Sequence, residues 1–176
     1  RQGIGTYVTE ATSERALFHF FRAEALDGGR ITPTSRLHRL ELRPARPEEA
    51  RALALPKGAR VHRMFRQRFV AGHAAIVEEI ALPEALFPGF RLPIGVELSD
   101  ELYVHYQRHH GLTVMRVTEK LSALACPAAI AELLGRAAGE PVLHIARIAF
   151  DVMDRPVELR LSWMETGALR YAIELR

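Results

Sequence analysis

From residue 35 onward the chain is dominated by alternation of apolar and polar positions. Leu37, Arg39, Glu41 and Arg43 fall on one side of a two-residue period and His38, Leu40 and Leu42 on the other, which predicts a strand over 35–43. Two further extended runs, 61–70 and 74–82, flank Ala71, Gly72 and His73, and their lengths and turn residues predict a hairpin. The pattern returns over 113–125, then over 142–150 and 157–163 around a turn at 151–156, and last over 169–175. Helical signals are shorter. Pro47, Glu48 and Glu49 suit a first helical turn that Pro56, Lys57 and Gly58 bring to an end. A second helix is predicted from Ser99 to His110, stopped by Gly111, and a third over 127–136 with Ile130, Leu133 and Leu134 on one face.

Punctuation fixes the rest. Residues 1–8 give a glycine turn and a short β-prone run, and 9–15 read as a polar linker. An aromatic-rich stretch at 17–22 precedes a turn forced by Asp27, Gly28 and Gly29. Three prolines and two glycines make 83–95 an irregular connection. At least six strands, mostly joined by hairpin-length turns, with three short helices among them, predict an α+β fold on an antiparallel sheet rather than a βαβ fold.

Composition changes this picture little. At 176 residues and 48% hydrophobic content the chain suits one domain with its own core. The single cysteine, Cys126, cannot pair within the chain and is expected to pack. No apolar run reaches the ~18–20 residues needed to span a bilayer, and no signal-peptide pattern opens the chain, so a cytoplasmic protein is expected. Net charge is only +3 with acids interleaved among the bases, which argues against a nucleic-acid footprint within these residues.

Candidate chemistry lies on the strand faces. Arg66 and Arg68 point the same way as His62 and Met64, while Val61, Phe65 and Phe69 face oppositely. Two guanidiniums on one face can grip a carboxylate or phosphate, or can simply be a solvated surface. A three-residue hairpin turn brings Glu78 opposite Arg66, whereas a two-residue turn faces it away. Glu158 and Arg160 share a face with Ser162, either as a structural ion pair or as part of a pocket. Tyr103, in the first turn of its helix, offers a phenol or packs. His105 and His109 have a spacing that can hold zinc, but Tyr106 stands where a zinc protease needs glutamate and no third ligand suggests itself. No metal and no cofactor are expected, and no Gly-rich phosphate loop, cysteine pair or serine nucleophile motif is present.

Four stretches in this order resemble the UTRA domain, the chorismate-lyase-like effector module of the HutC branch of GntR transcription regulators. Residues 1–8, Arg-Gln-Gly-Ile-Gly-Thr-Tyr-Val, resemble the wing that ends the family's winged-helix domain. Arg66, Gln67 and Arg68, with Glu78 and then Leu82-Pro83, resemble the first sheet motif. Glu101, Leu102 and Tyr103 resemble the start of the central helix, and Pro156 to Arg160 the penultimate strand.

The resemblance implies a wing remnant at 1–9 and an effector-binding domain at 10–176. It implies an effector site built from Arg66, Arg68, Glu78, Tyr103 and Glu158, with Phe21 and Arg22 near a ligand-covering loop. The family often has a small hydroxyl residue where Glu101 stands and a tyrosine near Met164, so these two positions also belong to the expected site and leave the ligand open beyond phosphosugars. The expected ligand is a small anionic metabolite: a sugar phosphate, amino acid or organic acid. The expected partners are a second copy of the chain and operator DNA, reached through a winged-helix domain missing from this chain. The alternative is a chorismate-lyase-like enzyme acting on a small dicarboxylate, against which the wing-like start argues.

Overall fold

A computed structural model describes residues 21–29, 31–98 and 102–173. The wing-like run at 1–8, the linker, most of the aromatic run at 17–22 and Glu101 lie outside the described residues, as does the end of the strand expected at 169–175.

Nine strands and three helices follow in the order β1 (Ala23–Ala25), β2 (Thr34–Pro44), α1 (Pro47–Ala52), β3 (Arg60–Val70), β4 (His73–Pro83), β5 (Glu97–Leu98), α2 (Leu102–His110), β6 (Val114–Ala125), α3 (Ala128–Leu134), β7 (Pro141–Asp151), β8 (Pro156–Glu165) and β9 (Leu169–Tyr171) among the described residues. Seven of the strands form one antiparallel sheet in the order β5-β2-β3-β4-β8-β7-β6, so the expected antiparallel α+β fold is the observed one. The seven strands of the sheet agree with the expectation of at least six. Strands of two and three residues, β5 and β1, are too short to leave a periodic signal. The strand expected at the end of the chain does not join the sheet. As β9 it pairs with β1 in a separate two-stranded ribbon.

The hairpin between β3 and β4 sets the geometry of everything above it. Ala71 and Gly72 form a two-residue turn with φ of 49° and 80°, the positive pair that matches strand twist. Phe69 opposes Ala74, but Arg68 opposes Ile76, so Ala75 is a bulge that shifts the register by one. Arg66 and Glu78 therefore face each other although the turn has two residues. The three-residue turn on which that pairing seemed to depend is replaced by a shorter turn plus one bulged residue.

Helices cover the two faces of the sheet unequally. On one face α3 packs Ile130, Ala131 and Leu134 with Cys126, Val77 and Val142, while Leu53, after α1, packs with Val61, Ala81 and Leu159. Gly135, at φ 64°, caps α3 in the left-handed conformation. On the opposite face α2 covers one end, where Tyr103, Val104 and Tyr106 join Leu37, Met64, Ile80, Leu82, Phe87 and Phe90. The β1–β9 ribbon covers the other end, with Leu169 buried against Ile76 and Met164. Between α2 and the ribbon this face is polar. No helix among the described residues is long and apolar enough to cross a membrane.

Candidate functional site

Strand register puts a block of charged side chains in the interior of that face. Arg66 stands opposite Glu78, Glu78 opposite Ser162, and Arg160 opposite Arg147, which in turn faces Glu119 on β6. A buried ion costs several kcal/mol unless a partner compensates it, and the block is built of such compensation. Arg66 Nε donates to Glu78 Oε2 at 2.7 Å, and its Nη2 lies 2.5 Å from the same oxygen. Arg160 forks onto Glu158 at 2.9 and 2.8 Å and reaches Glu78 with Nη1 at 3.3 Å. The hydroxyls of Tyr103 and Tyr106 donate to the two Glu158 oxygens at 3.0 and 2.6 Å. Arg147 donates to Glu119 at 2.7 Å, and the Tyr171 hydroxyl donates to the second oxygen of that carboxylate.

Proton affinities follow from these partners. Burial pushes the Glu78 carboxyl up, but the Arg66, Arg160 and Arg68 guanidiniums outweigh it and hold Glu78 well below the usual carboxylate range. Burial, then the neighbouring Glu158 carboxylate, raises the Tyr103 phenol to about 12 and pushes Tyr106 up as well. Both phenols therefore remain hydrogen-bond donors at neutral pH.

Under the ribbon lies a cavity partly open to solvent, with about 360 Å³ of empty space when its open mouth is included. Its floor comes from β3, β4, β8 and β7 through Arg68, Ile76, Glu78, Arg160, Ser162, Met164, Ile145 and Arg147. Its roof comes from Phe21, Arg22, Ala23 and Tyr171, with the Arg68 guanidinium 4.3 Å from the centre of the Phe21 ring. Four lining guanidiniums, from Arg22, Arg68, Arg147 and Arg160, face one lining carboxylate, Glu78. Such a lining suits an anion with apolar or hydroxyl-bearing parts.

The residues singled out from the sequence divide into two groups. Arg68, Glu78, Phe21, Arg22 and Met164 line the cavity. Arg66, Tyr103 and Glu158 stand behind it: Arg66 holds Glu78, while Glu158 is fully buried and its oxygens accept from Arg160 and both tyrosines. Glu101 lies outside the described residues. Sequence reasoning missed Arg147, and took Arg160 and Ser162 only as neighbours of Glu158. The available signal was a lone arginine in line with Ile145 and Ala149, but the opposite side of β7, with Ala146, Ile148 and Phe150, is just as apolar, so alternation marks no interior there.

The histidines of α2 belong to aromatic packing. His105 and His109 have ring centres 4.3 Å apart, and His105 and His110 both lie against Phe90. Among the described residues no group of three or more His, Cys, Asp or Glu side chains can hold a metal ion. Burial raises the Cys126 thiol, which packs beside α3.

A sheet face roofed by a separate ribbon, with guanidiniums lining the space between, has the form of a small-molecule-binding domain. The chain belongs to the UTRA domain family, the effector-binding domains of GntR-family transcription regulators: the family's sequence profile matches residues 29–170. It is 25% identical over 175 residues to the HTH-type transcriptional regulator SmoD of Agrobacterium fabrum, covering 99% of this chain and 72% of that protein. It is 25% identical over 150 residues to the HTH-type transcriptional repressor NagR of Bacillus subtilis, covering 85% of this chain and 60% of NagR. The ligand-binding domain of a GntR-family regulator from Bordetella bronchiseptica superposes with a TM-score of 0.83 at 29% identity, over 90% of this chain and 98% of that one.

Proposed function

We propose that the domain binds a small anionic metabolite in the cavity beneath the β1–β9 ribbon, and that occupancy alters the operator affinity of the regulator to which it belongs. The observation that carries this reading is the lining itself, with Arg68, Arg147 and Arg160 in the floor and Arg22 in the roof. Arg68, Glu78, Phe21, Arg22 and Met164 touch the ligand in this reading. Arg66, Tyr103 and Glu158 act one layer back by fixing Glu78 and Arg160. A regulator of this kind works in the cytoplasm, where its operator DNA is, and reaches that DNA through a winged-helix domain N-terminal to this one. It works as a homodimer, because operators read by such modules are two-fold symmetric. The twelve-residue edge strand β6, which exposes Met115, Leu121 and Leu124, supports pairing with a second copy.

The reading assigns no catalysis to the cavity. A carboxyl that serves as general acid or base near neutrality needs a raised pKa, and Glu78, the lining carboxylate, is held in the opposite direction. Incubation with chorismate yields no 4-hydroxybenzoate in this reading; turnover would overturn it. The direct test is a thermal-shift screen of the purified chain with sugar phosphates, amino acids and organic acids, followed by calorimetry on the hits. Anions are expected to stabilise the protein, and Arg147→Met is expected to weaken the best of them by tenfold or more. Stabilisation by neutral or cationic compounds alone sinks the proposal.

A further inference from the structure

The two edges of the main sheet are built differently. One is β5, two residues long, beside a strand that exposes Arg36, Arg39, Arg43 and Pro44. Short strands, charges and prolines keep an edge from recruiting another chain. The other is β6, twelve residues long and unpaired on its outer side among the described residues. Over 117–125 it carries only two charges, Glu119 and Lys120, and Glu119 is already held by Arg147 and Tyr171. Leu121 and Leu124 are 43% and 42% exposed there, on opposite faces of the strand. A bulge interrupts β6 only at its start, between Val114 and Arg116. The remainder is a template for another strand.

A second copy of β6 supplies an equal length of the same edge, and its charges limit how the two can meet. Residues directly opposite in a sheet lie on one face, and a two-fold axis through an antiparallel seam maps each face onto itself. Every residue therefore meets itself or one an even number of positions away. Centring the axis on Thr118 sets Arg116 against Lys120, centring it on Glu119 sets two glutamates together, and on Lys120 two lysines. Like charges directly opposite are unfavourable in a sheet. A centre at Leu121 avoids all three. It pairs 117–125 of each copy, with Leu121 against Leu121, Lys120 against Ser122, Glu119 against Ala123 and Thr118 against Leu124. A centre at Ser122 shortens the ladder to 119–125, and one at Val117 runs it across the bulge.

We infer that two copies of the chain join their sheets edge to edge along β6, with the two-fold axis at Leu121. The inference rests on the homodimer reading above and gives that dimer its seam and its register. A contact of this symmetry is closed: each β6 edge fills the other, so neither is left to recruit a third chain. Self-opposition at Leu121 is its signature, because a residue on the axis meets its own kind whereas its neighbours do not.

The test is sedimentation equilibrium on the whole chain over a range of concentrations. Leu121→Asp and Leu121→Lys are each expected to weaken self-association at least tenfold, since each sets like charges face to face on the axis. An equimolar mixture of the two variants is expected to associate as tightly as the unmodified chain, which also shows that both still fold. Ser122→Asp is expected to tighten the dimer severalfold by meeting Lys120 of the other copy, and Lys120→Ala in the same chain to abolish that gain. Failure of the mixture to recover association overturns the register, and so does weakening by Ser122→Asp, the result a centre at Ser122 would give. A dimer indifferent to all these changes places the seam elsewhere and overturns the inference while leaving the homodimer reading intact. A chain that stays monomeric at every concentration removes the homodimer reading and this inference together, and leaves the anion reading of the cavity untouched.

Discussion

Arg160 joins two regions that differ in one respect. Toward α2 it meets Glu158, which is fully buried and sealed by two tyrosine hydroxyls. Toward the ribbon it meets Glu78, equally paired with arginine but bordering a cavity. The same charges are thus closed by core packing at one end and by a six-residue ribbon at the other. Ion pairing alone does not distinguish a structural network from a ligand site; what covers the pair does.

The largest effect that can break this comparison is loss of either carboxylate. Glu158→Gln and Glu78→Gln are each expected to cost about 3–5 kcal/mol, the usual penalty for stripping a buried cation of its partner, read as a shift in the urea midpoint. Exchanging chloride for phosphate at constant ionic strength should then recover part of the Glu78→Gln loss and none of the Glu158→Gln loss, because an anion can enter only the cavity. Equal recovery in both variants would show that the tyrosine-sealed end is as accessible as the other, and the distinction would go.

Lowering the pH should separate the same two ends by midpoint. His62 is buried at the α2 end, with Nε2 2.9 Å from the Phe87 carbonyl oxygen, and burial holds its pKa, like that of His110 beside it, below the ordinary value. A base depressed by folding is favoured neutral, so its contribution is present above the unfolded value near ~6.5 and is lost as pH falls through the folded one. Glu78 is an acid depressed by folding, so its contribution is full above the unfolded value near ~4.3 and is lost only well below it. Amides of α2 should therefore lose exchange protection first as pH falls from 7, with the strands around Glu78 following below about pH 4. Replacing His62 with Phe should flatten the upper part of this profile only. Simultaneous loss at both ends would mean that one cooperative unit hides the difference.

How much of this was legible beforehand follows the same division. Period-two alternation located β2, β3, β4, β6, β7 and β8 to within a residue or two, because each of those strands is long. It also put Arg66 and Arg68 on one face, but it could not foresee that Ala75 bulges and makes a two-residue turn deliver Glu78 to Arg66. Arg68 lines the cavity while Arg66 serves Glu78, although the two are equivalent in any pattern, because only the fold decides which arginine meets a carboxylate first. Glu158 reads the same from sequence whether tyrosines or a ligand complete it, and those tyrosines come from a helix more than fifty positions earlier. The roof was least legible, since two strands of three residues each contribute no periodic signal.

The smallest expected effect concerns that roof. Tyr171 on β9 donates to Glu119 of the main sheet, the same carboxylate that receives Arg147 and lies 3.8 Å from Arg22. Tyr171→Phe removes the hydroxyl and keeps the ring, so burial of Leu169 and the β1–β9 ladder should persist. A side-chain hydrogen bond contributes about 1 kcal/mol net. If the ribbon opens as a local unit, that amount appears as roughly fivefold faster amide exchange in β1 and β9 and leaves the global urea midpoint almost unmoved. If ribbon and sheet instead unfold together, the midpoint falls by the full amount and exchange in the ribbon tracks that of β7. The first outcome makes the ribbon a cover that can lift without disturbing the charged floor, as ligand entry beneath it requires. The second makes it an eighth and ninth strand of the core in all but hydrogen bonding, and ligand would then have to enter past the exposed edge of Arg22.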